Sequence, residues 1–251
     1  MGDCTMRNVI TVTSSASLGG QRFQPLAETA LHTLAHAAAA ALPGGTDEVL
    51  LVPEMPSPLG LPDFTALVGG QEWLSVRRRA GIQPILAEAD CIVLSALHSA
   101  RPLSADTVAR RIGWSFESLG PVLTRLERAG AVCATPGGAL LVHPALVPQG
   151  SVIALEVKVK DWQKAVFQGR AYRTWAHNYV IVLGDVGQLA ERRAAERVSD
   201  DGAGLYSASG WVIRPRTRRP AAASSLRGFE YLYAATSSVP TLGIGEQIES
   251  I

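Results

Sequence analysis

The chain has 251 residues, of which 47% are hydrophobic and 18% are charged, and its formal net charge at pH 7 is +1. This is enough apolar material for one large domain or two small ones, and the low charge excludes an intrinsically disordered chain. The small net charge also excludes a field that draws the whole protein onto DNA or an anionic membrane. Any nucleic-acid site must therefore come from a local cluster of charge.

Cysteine occurs only at Cys4, Cys91 and Cys133, and no two of these have the CxxC spacing. This pattern argues against a disulfide scaffold and a cysteine-rich zinc site, and it predicts a reducing, cytoplasmic location.

The most apolar run, residues 37–42, is far shorter than the roughly 20 residues that span a bilayer. The N-terminus lacks the basic and apolar regions of a secretory signal. We therefore expect no membrane association.

The first part of the chain predicts one helix and two strands. Residues 24–42 are rich in Ala and Leu, which favour a helix, and a Pro-Gly-Gly sequence follows them and ends it. Residues 48–55 and 63–68 predict two strands. Because the segment between them is rich in Gly and Pro, the two strands are expected to form a hairpin. Residues 71–84 predict a helical or irregular connector.

Residues 85–145 predict three helices followed by a short hairpin. Ser104 and Ser115 are suited to cap the second and third helices, and Gly130 is suited to end the third. Pro121 favours a later start for this third helix, since proline fits the first turn. The order of these elements resembles a MarR-type winged helix-turn-helix domain.

That resemblance implies DNA as the partner, because the third helix of such domains enters the major groove and the wing contacts the backbone or the minor groove. The candidate DNA-binding residues are the polar and basic side chains of the second and third helices, Arg110, Arg111, Ser115, Arg125 and Arg128. The third helix carries few amides that could read bases. The alternative is therefore a winged helix used for protein contact or dimerisation.

The last part of the chain predicts further strands and helices. Its segments are a strand at 151–158, a helix at 161–177, a strand at 179–183, a charged helix at 188–198 and a hairpin at 204–215. Arginines cluster at the end of the hairpin and after it, at Arg214, Arg216, Arg218 and Arg219. The tail beyond Pro220 has no role assigned from sequence.

Glu156 and Lys158 form the sharpest chemical feature, because alternation on a strand places both on one face. The only lysines are Lys158, Lys160 and Lys164, whereas every other cation is arginine, so some of these lysines are expected to be chemically required. A carboxylate can hold a hard cation such as Mg²⁺, and an ammonium beside it can orient the water that attacks a phosphate. The alternative is an ion pair on an edge strand.

Two further motifs accompany this pair. Pro62 and Asp63 open a predicted strand, and Gln168 and Tyr172 lie four residues apart on one helix face. With Glu156-Val157-Lys158, the order of helix, strands and motifs resembles the restriction-endonuclease-like PD-(D/E)XK nuclease core, and Gln168 with Tyr172 resembles the QxxxY motif of its RecB-like members. The resemblance covers residues 24–70 and 150–215.

The resemblance implies an α/β fold, with a restriction-endonuclease-like mixed-sheet core and an inserted winged helix-turn-helix domain. It divides the chain into a first core part, the winged-helix domain, a second core part and a C-terminal segment of unknown role, at 1–75, 76–148, 149–220 and 221–251.

The resemblance also implies the chemistry of the site. Asp63 and Glu156 would bind Mg²⁺ or Mn²⁺, and Lys158 would position the attacking water. Gln168 would orient that water or a metal ligand, and Tyr172 would support the site. Glu28 or Glu54 would supply a further acidic ligand.

One departure from the family pattern is the distance of about 90 positions between Asp63 and Glu156, where the family has a short connection. Insertion of the winged helix at a hairpin tip would account for it. Their carboxyl groups should then lie within about 10 Å of each other.

The implied function is metal-dependent hydrolysis of DNA by a homodimer, in defence, restriction or repair. The alternative is a DNA-binding regulator whose nuclease-like fold is catalytically silent.

Overall fold

A computed structural model of the chain describes residues 7–12, 30–44 and 48–237, with a seven-stranded mixed sheet and a separate two-stranded sheet. The strands are β1 (Asn8–Thr11), β2 (Glu48–Pro53), β3 (Phe64–Val68), β4 (Val132–Ala134), β5 (Leu140–Val142), β6 (Ser151–Lys158), β7 (Asn178–Leu183), β8 (Gly204–Ser207) and β9 (Gly210–Ile213). The helices are α1 (His32–Ala40), α2 (Gln71–Arg79), α3 (Glu88–Ala96), α4 (Ala105–Ile112), α5 (Phe116–Arg128), α6 (Trp162–Tyr172), α7 (Gln188–Asp200) and α8 (Ala222–Ser237).

The large sheet has the strand order β1-β2-β3-β6-β7-β8-β9. β2, β3 and β6 are antiparallel neighbours, so the predicted hairpin of β2 and β3 is confirmed, whereas β6, β7 and β8 run parallel. β3 pairs with β6 so that Val68 faces Ser151 and Phe64 faces Leu155. The long connection between them therefore leaves from the Val68 end, and Asp63 lies at the opposite end of β3.

The two faces of the sheet bury different clusters. Leu155 and Val157 of β6 pack in the cluster that contains the buried alanines of α1. Val152 and Ala154 pack in the cluster that contains α6 and α8. Because side chains alternate along a strand, Glu156 and Lys158 belong to the α6 side.

Residues 82–146, between α2 and β6, fold into a lobe with its own core, built from α3, α4, α5 and the β4–β5 hairpin. The Ser104 and Ser115 hydroxyls accept hydrogen bonds from the backbone N–H groups of Thr107 and Ser118, which confirms both predicted caps. This cap starts α5 at Phe116, so the predicted start at Pro121 is wrong and the proline lies inside the helix. A mixed α/β fold with a winged-helix domain is confirmed.

α8 lies in the tail to which no role was assigned from sequence. It packs against both this lobe and the sheet. Its Phe229 ring lies 5.2 Å from that of Trp73 in the core beside the sheet, and its Leu226 packs in the core of the lobe. The Arg77 guanidinium of α2 pairs with Glu230 of α8, and both side chains are fully buried. The C-terminal helix is therefore part of both cores.

Other element bounds also differ from the predictions. Of the helix predicted at 24–42, residues 24–29 lie outside the described part, and the helix itself spans His32–Ala40. α6 ends at Tyr172 rather than at 177, and the short strand β1 was not predicted. Within the described ranges, no helix is long and apolar enough to cross a membrane.

Candidate functional site

Asp63, Glu156 and Lys158 form one buried cluster on the α6 side of the sheet. Asp63 immediately precedes β3, and Glu156 and Lys158 lie on the neighbouring strand β6. The Lys158 ammonium lies 2.9 Å from Oε1 of Glu156 and 3.6 Å from Oδ2 of Asp63. Because both carboxylates contact one nitrogen atom, the structure brings the two acids together despite their separation in sequence.

Backbone groups of β6 complete the cluster. The Val157 N–H donates a hydrogen bond to Oδ2 of Asp63 at 2.7 Å, which holds this carboxylate against β6. Lys158 Nζ donates to the Val157 carbonyl at 2.8 Å. The ammonium therefore contacts three oxygen groups at once, the two carboxylates and one carbonyl.

Tyr172 and Gln168 lie four residues apart on α6, and Tyr172 contacts the cluster directly. The Tyr172 hydroxyl donates to Oε2 of Glu156 at 2.8 Å, so the buried Tyr172 orients this carboxylate. Oε1 of Gln168 is buried and accepts no hydrogen bond from the described part of the chain. Tyr172 thus has a defined partner, whereas the Gln168 amide has spare acceptor capacity one helical turn away.

The loop before Asp63 covers the Tyr172 ring closely. A Cβ atom at Gly60 would lie 2.7 Å from Cε1 of Tyr172, and Gly60 has a φ of 87°, which a side chain disfavours. The Trp175 indole N–H donates to the Leu59 carbonyl at 3.1 Å, which fixes the loop. Gly60 was not predicted as a site residue, although its place two positions before Pro62 was a signal in the sequence.

The pKa of Glu156 is raised to about 6, chiefly by burial and next by the nearby Asp63 charge, whereas Lys158 and Tyr172 act in the opposite direction. Among the described residues, two carboxylates, Asp63 and Glu156, contact the one ammonium of Lys158. Glu156 is completely buried, and its Oε1 lies 2.9 Å from the Lys158 ammonium. Two buried carboxylates held close to one another are a feature that a bound cation would stabilise further.

Glu156→Gln is expected to stabilise the metal-free protein above pH 6. The raised pKa means that the folded state binds this proton more tightly than the unfolded state, so the proton's stabilising effect is present below pH 4.5 and is lost as the pH rises through about 6. Loss of this proton lowers the folding stability by about 2 kcal/mol. Because the amide of glutamine mimics the protonated acid, the variant avoids this loss at high pH. Thermal melts at pH 5 and pH 8 in EDTA should show a gain of a few degrees at pH 8 only. Equal changes in melting temperature at pH 5 and pH 8 would show that the gain does not come from the protonation of Glu156.

The oxygen donors of the cluster fit a hard divalent cation, since Mg²⁺ binds carboxylate and carbonyl oxygens. Within residues 7–12, 30–44 and 48–237, no group of three or more His, Cys, Asp or Glu residues could hold a metal. The fit therefore rests on Asp63, Glu156 and the Val157 carbonyl, with remaining positions open to water. Of the two predicted further acids, Glu28 lies outside the described residues.

Glu54, the other predicted acid, follows β2 beside the cluster. Its backbone N–H donates to the Asp63 carbonyl at 3.0 Å. Its φ of 43° lies in the left-handed region, which costs about 1 kcal/mol for a residue with a side chain. Such backbone strain persists where the surrounding structure enforces it, frequently at functional sites.

The predicted DNA-binding residues of the winged-helix lobe differ in their contacts. Arg125 forms a two-point ion pair with Asp90 of α3, so its guanidinium ties α5 to α3. Arg111 donates to the Ala96 carbonyl at 3.0 Å, also at the end of α3. The Ser115 hydroxyl is occupied as the cap of α5.

Arg110 and Arg128 are the two remaining candidates, and both are exposed. Within the described part of the chain, Arg110 makes only long contacts in α4, at 3.4 Å to the Asp106 carbonyl and to the Thr107 hydroxyl. Arg128, near the end of α5, forms no ion pair with any residue in the described part of the chain. These two guanidinium groups are the ones available to a phosphate.

The family model of the DprA winged helix domain matches residues 79–138. This segment contains α3, α4, α5 and the β4 strand, so the winged-helix prediction is confirmed, with a DprA-type rather than a MarR-type model matching. Searches of curated proteins and of solved structures found no match to this chain. A winged-helix domain of this kind fits DNA binding.

Proposed function

We propose that the protein is a Mg²⁺- or Mn²⁺-dependent nuclease of the PD-(D/E)XK type that hydrolyses phosphodiester bonds of DNA. The observation that carries this proposal is the buried cluster of Asp63, Glu156 and Lys158 at the ends of two adjacent strands. The close approach of two buried carboxylates, together with the raised pKa of Glu156, favours a site that binds a cation rather than a simple structural ion pair.

Asp63, Glu156 and the Val157 carbonyl would hold the metal ion. When bound, the ion supplies Lewis-acid activation of water and neutralises charge at the phosphate. The Lys158 ammonium contacts the same three oxygen groups, so it would move off them when the metal binds and hold the attacking water by hydrogen bonding. Tyr172 keeps the Glu156 carboxylate oriented, and the spare acceptor of Gln168 would receive a hydrogen bond from that water.

The winged-helix lobe would bring DNA to the protein, and α5 would enter the major groove. A homodimer would allow both strands of a duplex to be cut. We place this activity in the cytoplasm, in agreement with the free thiols of Cys91 and Cys133.

Within this lobe, Arg128→Ala is expected to weaken duplex binding more than Arg125→Ala. Arg128 has no ion pair to lose among the described residues, so its charge is available to a phosphate, whereas Arg125 is held by Asp90. Each lost phosphate contact should reduce the salt slope of binding by about 0.9. Fluorescence anisotropy over a salt series measures this slope. Unchanged binding by Arg128→Ala and by the double variant would favour a protein-contact role for the lobe.

A second candidate function is a DNA-binding regulator whose nuclease-like site is silent. The observation in its favour is that the Lys158 ammonium already contacts Asp63, Glu156 and the Val157 carbonyl, so the cluster forms an ion pair network without a metal. In this case the cluster would serve only to join β3 to β6.

Incubation of supercoiled plasmid with the protein in Mg²⁺, in Mn²⁺ and in EDTA separates the two functions. The nuclease is expected to convert the plasmid to nicked or linear forms with either metal, and to leave it intact in EDTA. Binding without conversion under every metal condition would reject the nuclease and favour the silent regulator.

A further inference from the structure

Five arginines meet at one end of the sheet, away from the candidate metal site. Two belong to the end of α6 and its following turn, and three to the linker between β9 and α8. We call this set the arginine strip, and its members are Arg170, Arg173, Arg216, Arg218 and Arg219. Four of its members are exposed, and Arg173 is half-buried.

Specific contacts hold the strip together. Arg170 donates to Oδ2 of Asp201 at 2.7 Å, and Arg173 lies 3.3 Å from the other oxygen of the same carboxylate. Arg218 donates to the Arg173 carbonyl at 2.8 Å, which ties the linker to α6. The strip is therefore one surface and not a run of basic residues along the sequence.

The backbone of the linker is also fixed. The Asn178 amide donates to the Arg216 carbonyl at 2.7 Å and to the Gly202 carbonyl at 2.8 Å. Burial lowers the pKa of His177, and the Arg219 charge lowers it further, which places Arg219 near the start of β7. The linker thus presents its arginines from an anchored backbone.

The carboxylates at this surface do not balance the arginines. Asp201 accepts hydrogen bonds from Arg170 and from the Tyr179 hydroxyl and also pairs with Arg173, and Asp200 is its only acidic neighbour in sequence. Arg216, Arg218 and Arg219 form no ion pair with the described residues. The strip therefore carries about three excess positive charges in a chain whose net charge is +1.

One donor of the strip also lacks a partner. Nε of Arg173 is buried and makes no hydrogen bond to any residue that the structure describes. A buried guanidinium N–H without an acceptor costs free energy, so a bound anion that reaches it would be stabilised. Guanidinium groups match phosphate through paired N–H bonds, whereas an ammonium acts as a point charge.

The strip lies at the end of the sheet from which the winged-helix lobe departs. The chain leaves the sheet after Val68 and returns at Ser151, and the next residue, Val152, exchanges backbone and side-chain hydrogen bonds with His177. The linker then leads into α8, where Arg227 donates to the Leu86 carbonyl just before α3. The strip and the connections to the lobe therefore lie at the same end of the sheet.

We propose that the arginine strip binds the phosphate backbone of duplex DNA beside the winged-helix lobe, as a second, sequence-independent contact. This inference rests on the proposed DNA partner and is independent of cleavage. The strip would set the position of the duplex on the sheet domain, because phosphate contacts fix register and orientation without reading bases.

Fluorescence anisotropy with a labelled duplex of about 30 base pairs, in EDTA and over a salt series, tests the strip separately from cleavage. The test variant is Arg216→Ala/Arg218→Ala/Arg219→Ala. The matched control, Arg192→Ala/Arg193→Ala/Arg197→Ala, removes three exposed arginines from α7, where Glu191 and Glu196 lie among them. Thermal melts establish that both variants are folded.

The strip variant is expected to bind about tenfold or more weakly, with a salt slope lower by about 2 to 3, whereas the control keeps the wild-type slope. Replacement of the same three arginines by lysine should restore most of the slope, because the charges return. Equal slopes for the strip and control variants would overturn the proposal, as would absence of duplex binding by the wild-type protein. Normal binding without metal-dependent cleavage would reject only the nuclease.

Discussion

Lys158→Arg is expected to abolish DNA cleavage while folding, DNA binding and metal binding survive. Lys158 is only 7% exposed, and its ammonium fits among the Glu156 carboxylate, the Asp63 carboxylate and the Val157 carbonyl. A guanidinium keeps the charge but is wider and planar, so it would displace the water that the ammonium holds. We expect cleavage to fall by about 10²–10⁴-fold, the range for a group that assists proton transfer to or from water.

Lys160→Arg is the matched control, because Lys160 is exposed and lies just beyond β6. Initial rates of plasmid nicking at equal Mg²⁺ should match wild type for this control. Full cleavage by Lys158→Arg would remove Lys158 from the mechanism. Loss of folding would show in the thermal melt and would mean that the ammonium is needed for structure rather than for chemistry.

Arg77→Ala is expected to cause the largest loss of stability, about 3–5 kcal/mol. The Arg77 guanidinium donates to both carboxylate oxygens of Glu230, at 3.1 and 2.9 Å, and to the Gln83 carbonyl at 2.9 Å. Its removal leaves Glu230 buried without its cation and releases the segment that leads into α3. At about 2–4 °C per kcal/mol, the melting temperature should fall by roughly 10 °C.

Arg79→Ala removes an exposed arginine two residues further along α2 and is expected to change stability by less than about 0.5 kcal/mol. The double variant Arg77→Met/Glu230→Leu should recover most of the loss, because an apolar pair of similar volume replaces the two charges. Equal melting temperatures for Arg77→Ala and Arg79→Ala would contradict the structural role of this pair.

Glu156 and Lys158 could be paired from sequence because they lie on one strand, whereas Asp63 was joined to them through the PD-(D/E)XK resemblance. A spacing of two positions on one strand places Glu156 and Lys158 on the same face. The Pro62-Asp63 motif marks the start of the adjacent strand. The winged helix was also predictable, since Ser104 and Ser115 are caps that act within one turn. Such signals depend on residues that are close in sequence, so they do not change with the fold of distant segments.

The role of the C-terminal helix could not be predicted, because it depends on distant partners. Glu230 looks like a surface residue until Arg77, 153 positions away, is found to neutralise it. Arg125 has the position of a DNA-binding side chain on α5, but Asp90 occupies its guanidinium. Sequence periodicity carries no information on such pairs, since they form only when separate elements pack.

Titration with Mn²⁺, followed by the electron paramagnetic resonance signal of the free ion, tests most directly whether Asp63 and Glu156 form a metal site. Wild type should bind Mn²⁺ at this site, and Glu156→Gln should weaken that binding by at least about tenfold because an anionic ligand is lost. Glu196→Gln, which changes an exposed carboxylate on α7, should bind Mn²⁺ as wild type does. Equal binding by wild type and Glu156→Gln, or no binding by wild type, would contradict a metal site at Asp63 and Glu156.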